Sequence, residues 1–252
     1  MAPDLAIGTP EDGLHEWLRV APAMTMEPGR GAFFGRRKGK RLRKGQEDLV
    51  ATLLPRLLVP ERGQVDPPAL FGRRVESSQA ILEIGFGGGE HLAAQASAHP
   101  KTGFIGCEPF LNGMAKLLAV VEREGLENIR LWDRDATELL PRLAPASLDL
   151  VYLLYPDPWP KRRHRKRRFL NDETLGAIAR ILKRGGELRF ATDIDDYAGW
   201  ALARVLRSSD LAWAAERPDD WRKPWPGWPG TRYEAKAAAE GRHPSYLTFR
   251  RV

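Results

Sequence analysis

Asp157 is the side chain in this sequence best placed to act on a bound group. It stands in Tyr155-Pro156-Asp157-Pro158-Trp159-Pro160-Lys161, and Arg162-Arg163-His164-Arg165-Lys166-Arg167-Arg168 follows at once. Prolines at 156, 158 and 160 exclude helix and ladder strand alike, so the segment is a stiff, extended loop. A carboxylate fixed beside an indole, with phosphate-binding charge next to it, suits chemistry on a nucleobase. Trp159 either stacks on that base or packs as core. Lys161 reaches a phosphate or a base edge, and the basic run either holds RNA backbone or forms a solvated helix face.

Other candidates sit where apolar runs end. Glu83-Ile84-Gly85-Phe86-Gly87-Gly88-Gly89 follows such a run. Gly85 and Gly87 lack a Cβ, which lets a ligand press on the backbone, and the next helix offers free N–H groups. Nicotinamide dinucleotide sites use a similar loop, so glycine alone does not decide the ligand. Glu108 ends a second run, where an acid takes both hydroxyls of a ribose. Asp135 ends a third, placed to accept from an adenine amino group. Asp193 follows Ala191-Thr192, with N-capping of the next helix as its structural reading. Thr231-Arg232-Tyr233-Glu234 reads as a helix start, Thr231 being the N-cap and Glu234 completing a capping box. The five histidines show no metal-ligand spacing, and no metal is expected.

The elements that carry these residues alternate. Strands are predicted at Ala80–Ile84, Thr102–Cys107, Ile129–Trp132, Leu148–Leu154, Glu187–Thr192, Leu211–Ala215 and Tyr246–Arg250. Helices are predicted at Gln46–Leu58, His91–Ala98, Leu111–Glu124, Asn171–Leu182 and Ile194–Arg207. Gly185-Gly186 reads as the turn into the fifth strand, and Pro218–Gly230 as a Trp- and Pro-rich loop. This alternation gives a mostly parallel seven-stranded sheet with helices on both faces. Ligands of such sheets bind outside the strands' carboxyl ends, where all the candidate acids fall.

The 252 residues suffice for one α/β core, and the net charge of +7 points to nucleic acid. Cys107 is the sole cysteine, so neither an intrachain disulfide nor a cysteine-cluster metal site can form. Residues 1–30 are expected to be a disordered extension, 31–45 a flexible basic arm, and 46–252 a single domain. No apolar stretch is long enough for a signal or a membrane span, so a cytoplasmic protein, monomeric or homodimeric, is expected.

The segment Tyr155 to Arg168 resembles the signature of the tRNA (guanine-N7-)-methyltransferases, with Tyr155 where Phe is usual. The resemblance extends over about residues 31 to 252. The acidic strand ends around the glycine loop resemble the class I, Rossmann-like methyltransferase pattern. It implies S-adenosylmethionine held by Glu83, Gly85, Gly87, Glu108, Asp135 and Asp157. It also implies tRNA as partner and methyl transfer to N7 of a guanine in the variable loop, with Asp157 catalytic. Asp193 matches the acid of the family's Thr-Asp motif, an acceptor for the guanine N1–H and N2–H₂ donors. Ile194 stands where relatives often have an aromatic residue. Lys161 and Thr231, Arg232, Tyr233 and Glu234 are the implied substrate contacts. Two other readings stay open. One is an amino-group nucleobase methyltransferase, whose Asp-Pro-Pro-aromatic motif partly resembles Asp157-Pro158-Trp159. The other is a non-catalytic RNA-binding protein on the same fold, against which the intact Glu83, Glu108 and Asp135 speak.

Overall fold

Short apolar runs separated by amphipathic segments dictate a sheet covered on both faces. The computed structural model describes Gly35, residues 37–72, Val75 and residues 79–252. The expected extension, and residues 31–34 and 36 of the expected arm, lie outside the described residues.

The strands are β1 (Ala80–Ile84), β2 (Gly103–Cys107), β3 (Ile129–Trp132), β4 (Leu148–Leu154), β5 (Leu182–Thr192), β6 (Leu211–Trp213) and β7 (Ser245–Arg251). They form one sheet in the order β3-β2-β1-β4-β5-β7-β6. β1 to β5 run parallel, while β7 is antiparallel to β5 and β6. The chain steps outward from β1 to β3, then returns to the other side of β1 as β4. That reversal opens a crevice at the carboxyl ends of β1 and β4.

The helices are α1 (Lys44–Thr52), α2 (Leu54–Leu57), α3 (Glu90–Ala98), α4 (Leu111–Glu124), α5 (Ala136–Leu139), α6 (Asp172–Ile181), α7 (Asp195–Val205), α8 (Asp219–Arg222) and α9 (Arg232–Ala239). Strand alternation divides the core between the two faces. On β2, Phe104 packs with Leu53, Leu92, Met114 and Leu118 from α3, α4 and the first helices. Its neighbour Ile105 belongs to the other layer, with Leu139, Ile178 and Ala201 from α5, α6 and α7.

Three expectations shift. The single helix over Gln46–Leu58 is two helices, broken at Leu53, because Pro55 cannot donate to the ladder and its ring clashes with the preceding turn. The fifth strand begins at Leu182 rather than Glu187. Gly185 (φ 79°) and Gly186 lie within it as a bulge, and the register against β4 shifts between Leu148 and Leu150. The sixth strand stops at Trp213. Of the two residues that could cap α6, Asn171 and Asp172, Asn171 does so: it accepts from the Thr174 N–H at 3.0 Å while Thr174 Oγ1 accepts from the Asn171 N–H at 3.1 Å. Among the described residues no helix is long and apolar enough to cross a membrane, and no cluster of His, Cys, Asp or Glu could hold a metal.

α4 touches the glycine loop with no room to spare: a Cβ on Gly113 would lie 2.0 Å from the Gly87 carbonyl oxygen. Gly113→Ala should therefore push helix and loop apart. The expected cost is about 1–3 kcal/mol in denaturant unfolding, typical of overpacking, together with weaker cofactor binding in a calorimetric titration. A variant with unchanged stability and affinity would show that the loop yields freely.

Candidate active site

The glycine loop leaves β1 through three left-handed residues, Gly85 (φ 72°), Gly87 (φ 59°) and Gly89 (φ 79°), a conformation that only glycine adopts cheaply. At Gly85 an added Cβ would meet nothing within 4 Å, so the backbone there faces open space. Glu108 braces the loop from the end of β2: one carboxylate oxygen accepts from the Gly87 N–H at 2.7 Å, the other from the Phe110 N–H at 2.9 Å. Burial pushes its carboxyl above the usual value, the two N–H bonds and Arg232 oppose that shift, and Asp157 adds to it. Asp135 caps α5, its Oδ1 accepting from the Thr137 N–H at 2.9 Å. Glu83 is buried and pairs with His91 Nδ1 at 2.7 Å. The His91 ring is itself enclosed, 4.6 Å from the Tyr152 centroid and 4.9 Å from that of Trp228.

β4 carries the proline loop. The Tyr155 N–H still donates to the Ala191 carbonyl at 2.8 Å, and then the ladder ends. Tyr155 (φ 48°) and Trp159 (φ 42°) adopt the left-handed region, uncommon for residues with a Cβ. Between them Asp157 is exposed, and partial desolvation raises its carboxyl above the ordinary range. The Arg167 guanidinium lies 5.0 Å from the Trp159 ring centroid. The basic run is a 3₁₀ helix, Arg162–Arg167. Lys161, Arg162, Arg163 and Lys166 are exposed, whereas Arg168 is fully buried and cannot reach a phosphate, which corrects its expected role.

The two substrate motifs converge on the same edge. Asp193 is paired with Arg242 Nε at 2.6 Å and caps nothing, since Ile194 is the N-cap residue of α7. Thr231 caps α9, its Oγ1 accepting from the Glu234 N–H at 3.1 Å. The expected capping box is not formed, because the Glu234 carboxylate goes elsewhere: it accepts from Trp228 Nε1 at 2.6 Å and from the Tyr246 hydroxyl. Tyr233 stacks on Tyr155 with centroids 6.3 Å apart and planes 21° apart. A Cβ on Gly87 would lie 3.0 Å from Arg232 Nη2, so the start of α9 closes over the glycine loop. The described part of the arm docks on α4: the Gly39 N–H donates to Asn112 Oδ1 at 2.7 Å and Asn112 Nδ2 to the Lys40 carbonyl at 2.6 Å. A separate groove of about 420 Å³ lies at the opposite end of β4, where Lys183 pairs with Asp149 and Arg189 with Glu187.

His91, Trp228 and Tyr246 escaped the sequence reading as site residues. His91 alone left a sign, a polar ring on the first turn of a helix that follows a strand bearing one inward acid. The acceptor set suits a cationic nucleoside: carboxylates stand at three strand ends, Glu83, Glu108 and Asp135.

Residues 77–246 match the family model described as "Putative methyltransferase". Together with the strand order and the acidic strand ends, this defines a class I, S-adenosylmethionine-dependent methyltransferase. Curated relatives sharpen the assignment. The chain is 56% identical over 223 residues to the tRNA (guanine-N(7)-)-methyltransferase of Nitrobacter winogradskyi, covering 88% of this chain and 86% of that one. It is 52% identical over 253 residues to the protein of the same name from Rhodopseudomonas palustris (strain BisA53), covering 100% and 99%. The chain belongs to the tRNA (guanine-N(7)-)-methyltransferase family. Solved structures are more distant: the antibiotic-resistance methyltransferase Kmr is 19% identical with a TM-score of 0.49, covering 73% of this chain and 92% of that one.

Glu108→Ala should weaken S-adenosylmethionine binding by about 1–3 kcal/mol, the range for a buried charged acceptor. Binding of tRNA, measured at the same salt, should hardly change. Equal loss of both ligands in a variant that still folds would remove Glu108 from a dedicated cofactor role.

Proposed function

We propose that this enzyme methylates N7 of a guanine in the tRNA variable loop, with Asp157 facing the reacting base. The supporting observation is the rigid turn at the end of β4, which presents one exposed carboxylate beside Trp159 and next to the exposed cations Lys161, Arg162, Arg163 and Lys166. S-adenosylmethionine, when bound, supplies the methyl group. Glu83, Glu108 and Asp135 with Gly85 and Gly87 are the proposed cofactor contacts. Guanine N7 has an in-plane lone pair and no proton, so attack needs no general base. The ring becomes cationic during transfer, and a preorganised carboxylate lowers the energy of that charge. The rest is approach and alignment. Asp193, oriented by Arg242, is the proposed acceptor for the guanine N1–H and N2–H₂. Thr231, Arg232, Tyr233 and Glu234 are the further proposed substrate contacts, brought to this edge by the stacking of Tyr233 on Tyr155. We place the enzyme in the cytoplasm, as a monomer or homodimer, a choice that analytical ultracentrifugation decides. Incubation with methyl-labelled cofactor and unmodified tRNA, followed by mapping of the labelled base, tests the reading; label on an exocyclic amine would refute it.

Asp157→Asn keeps the size and removes the charge. Single-turnover methylation should fall by about 10²–10³, as on deleting one preorganised electrostatic contact, with cofactor and tRNA affinities changing far less. In the wild type the rate should also fall toward acid, because lowering the pH through the raised Asp157 value protonates the working form. That limb should lie above the ordinary aspartate range and vanish in the Asn variant. A near-wild-type Asn variant would leave alignment as the whole mechanism.

The exposed part of the basic run should govern salt dependence. Replacing Arg162, Arg163 and Lys166 by Gln should flatten the slope of log affinity for tRNA against log salt by roughly two units, at about 0.7 per lost phosphate contact. An unaltered slope would make this face a solvated one.

A further inference from the structure

We propose that Arg168, the last residue of the basic run, is a positioning residue: it fixes the peptide between Pro158 and Trp159, one residue beyond Asp157, and ties the reacting loop to the segment bearing Asp193. The inference rests on the reading of Asp157 given above and adds to it the device that sets the loop's shape.

The need for such a device follows from proline chemistry. Pro156, Pro158 and Pro160 have no N–H, so the loop cannot be anchored through donors at these positions and must be held by its carbonyls. It also contains Trp159 in a left-handed conformation, which persists only where surroundings enforce it. The peptide joining Pro158 to Trp159 is therefore the place where the loop most needs a partner. Arg168 Nε donates to the Pro158 carbonyl at 2.8 Å.

The rest of that side chain is built to hold still. Its exposure is zero. Arg168 Nη1 donates to the Asp196 carbonyl at 3.3 Å, and Nη2 pairs with Asp196 Oδ2. The guanidinium packs 4.7 Å from the Tyr197 centroid and 5.1 Å from that of Trp200. A buried guanidinium with its fork hydrogen-bonded and two aromatic rings packed against it is a rigid element, and a lysine reproduces neither the fork nor the stacking. Asp196 lies in the first turn of α7, three residues after Asp193, and its other oxygen pairs with Arg165 Nη2 at 2.6 Å. One buried cation thus joins the loop of Asp157 to the start of α7.

The test compares Arg168→Lys with Asp196→Asn in the full chain, since Asp196 is exposed and its variant keeps the aromatic packing. In Arg168→Lys, single-turnover methylation at saturating tRNA and cofactor should fall about 10–100-fold, the scale of a small misplacement of reacting groups. The tRNA dissociation constant should stay within about twofold, and the salt slope should keep the roughly 0.7 that a lost phosphate contact would remove. Asp196→Asn should lose roughly 3–10-fold in the same rate, part of the same alignment effect, and it reads out the proposal even if Arg168→Lys does not fold. A salt slope flatter by about 0.7 with the rate restored by excess tRNA would make Arg168 a phosphate ligand and overturn the proposal. So would a wild-type single-turnover rate in Asp196→Asn. Asp157→Asn run in parallel separates the two readings: if it alone is near wild type, the assignment of Asp157 fails whatever the Arg168 variants do.

Discussion

A single buried carboxylate organises the glycine loop and the entry to α4, the side of the molecule proposed to take the cofactor. Glu108 accepts from Gly87 in the loop after β1 and from Phe110 at the entry to α4, so two separate connections are fastened to one side chain at the end of β2. The charge sits where burial opposes ionisation and two backbone N–H groups favour it. Once it is placed, the glycine loop has one shape, α4 can approach until Gly113 meets the Gly87 carbonyl, and the docked arm lies against Asn112. A ligand hydroxyl arriving at Glu108 would meet an acceptor already oriented by the backbone, which is what preorganisation means here.

The substrate side is built on the opposite principle, with side chains holding a backbone that cannot hold itself. Tyr155 and Trp159 bracket Asp157 with left-handed residues, and prolines remove the usual donors. The rings of Tyr233 and Tyr155 lie against each other, the Glu234 carboxylate is fixed by Trp228 and Tyr246, and Arg242 fixes Asp193. Two of these groups, Glu234 and Asp193, are acids already engaged by neutral or cationic partners. They are oriented acceptors rather than free charges, and this suits reading a neutral base edge.

Much of this was legible in the residues. Apolar runs such as Leu148–Leu154 end in prolines or acids, so strand positions and the sheet edge that carries the chemistry could both be read from periodicity and breakers. What periodicity could not give was which polar groups face each other across the fold. Arg168 looks like its basic neighbours in sequence, and only the partners brought by α7 turn it inward. Glu234 sits where a capping box predicts a local bond, and two distant donors took it instead. The helix over Gln46–Leu58 failed for a local reason: Pro55 was outweighed in the reading by six leucines and valines at helical spacing, and in the structure it broke the helix.

The position of β7 has a consequence for how the molecule is made. β6 pairs only with β7, and β7 lies between β5 and β6 although it follows both in the chain. During synthesis β6 has no strand partner until β7 emerges and inserts, a pairing of long sequence separation that closes slowly. Thr231 to Glu234 belong to the start of α9, the last helix before that strand, and Tyr246, which holds Glu234, lies within the strand. The sheet and the hydrogen bonds around Glu234 are thus finished by the same late event, after the glycine loop and Glu108 have already emerged.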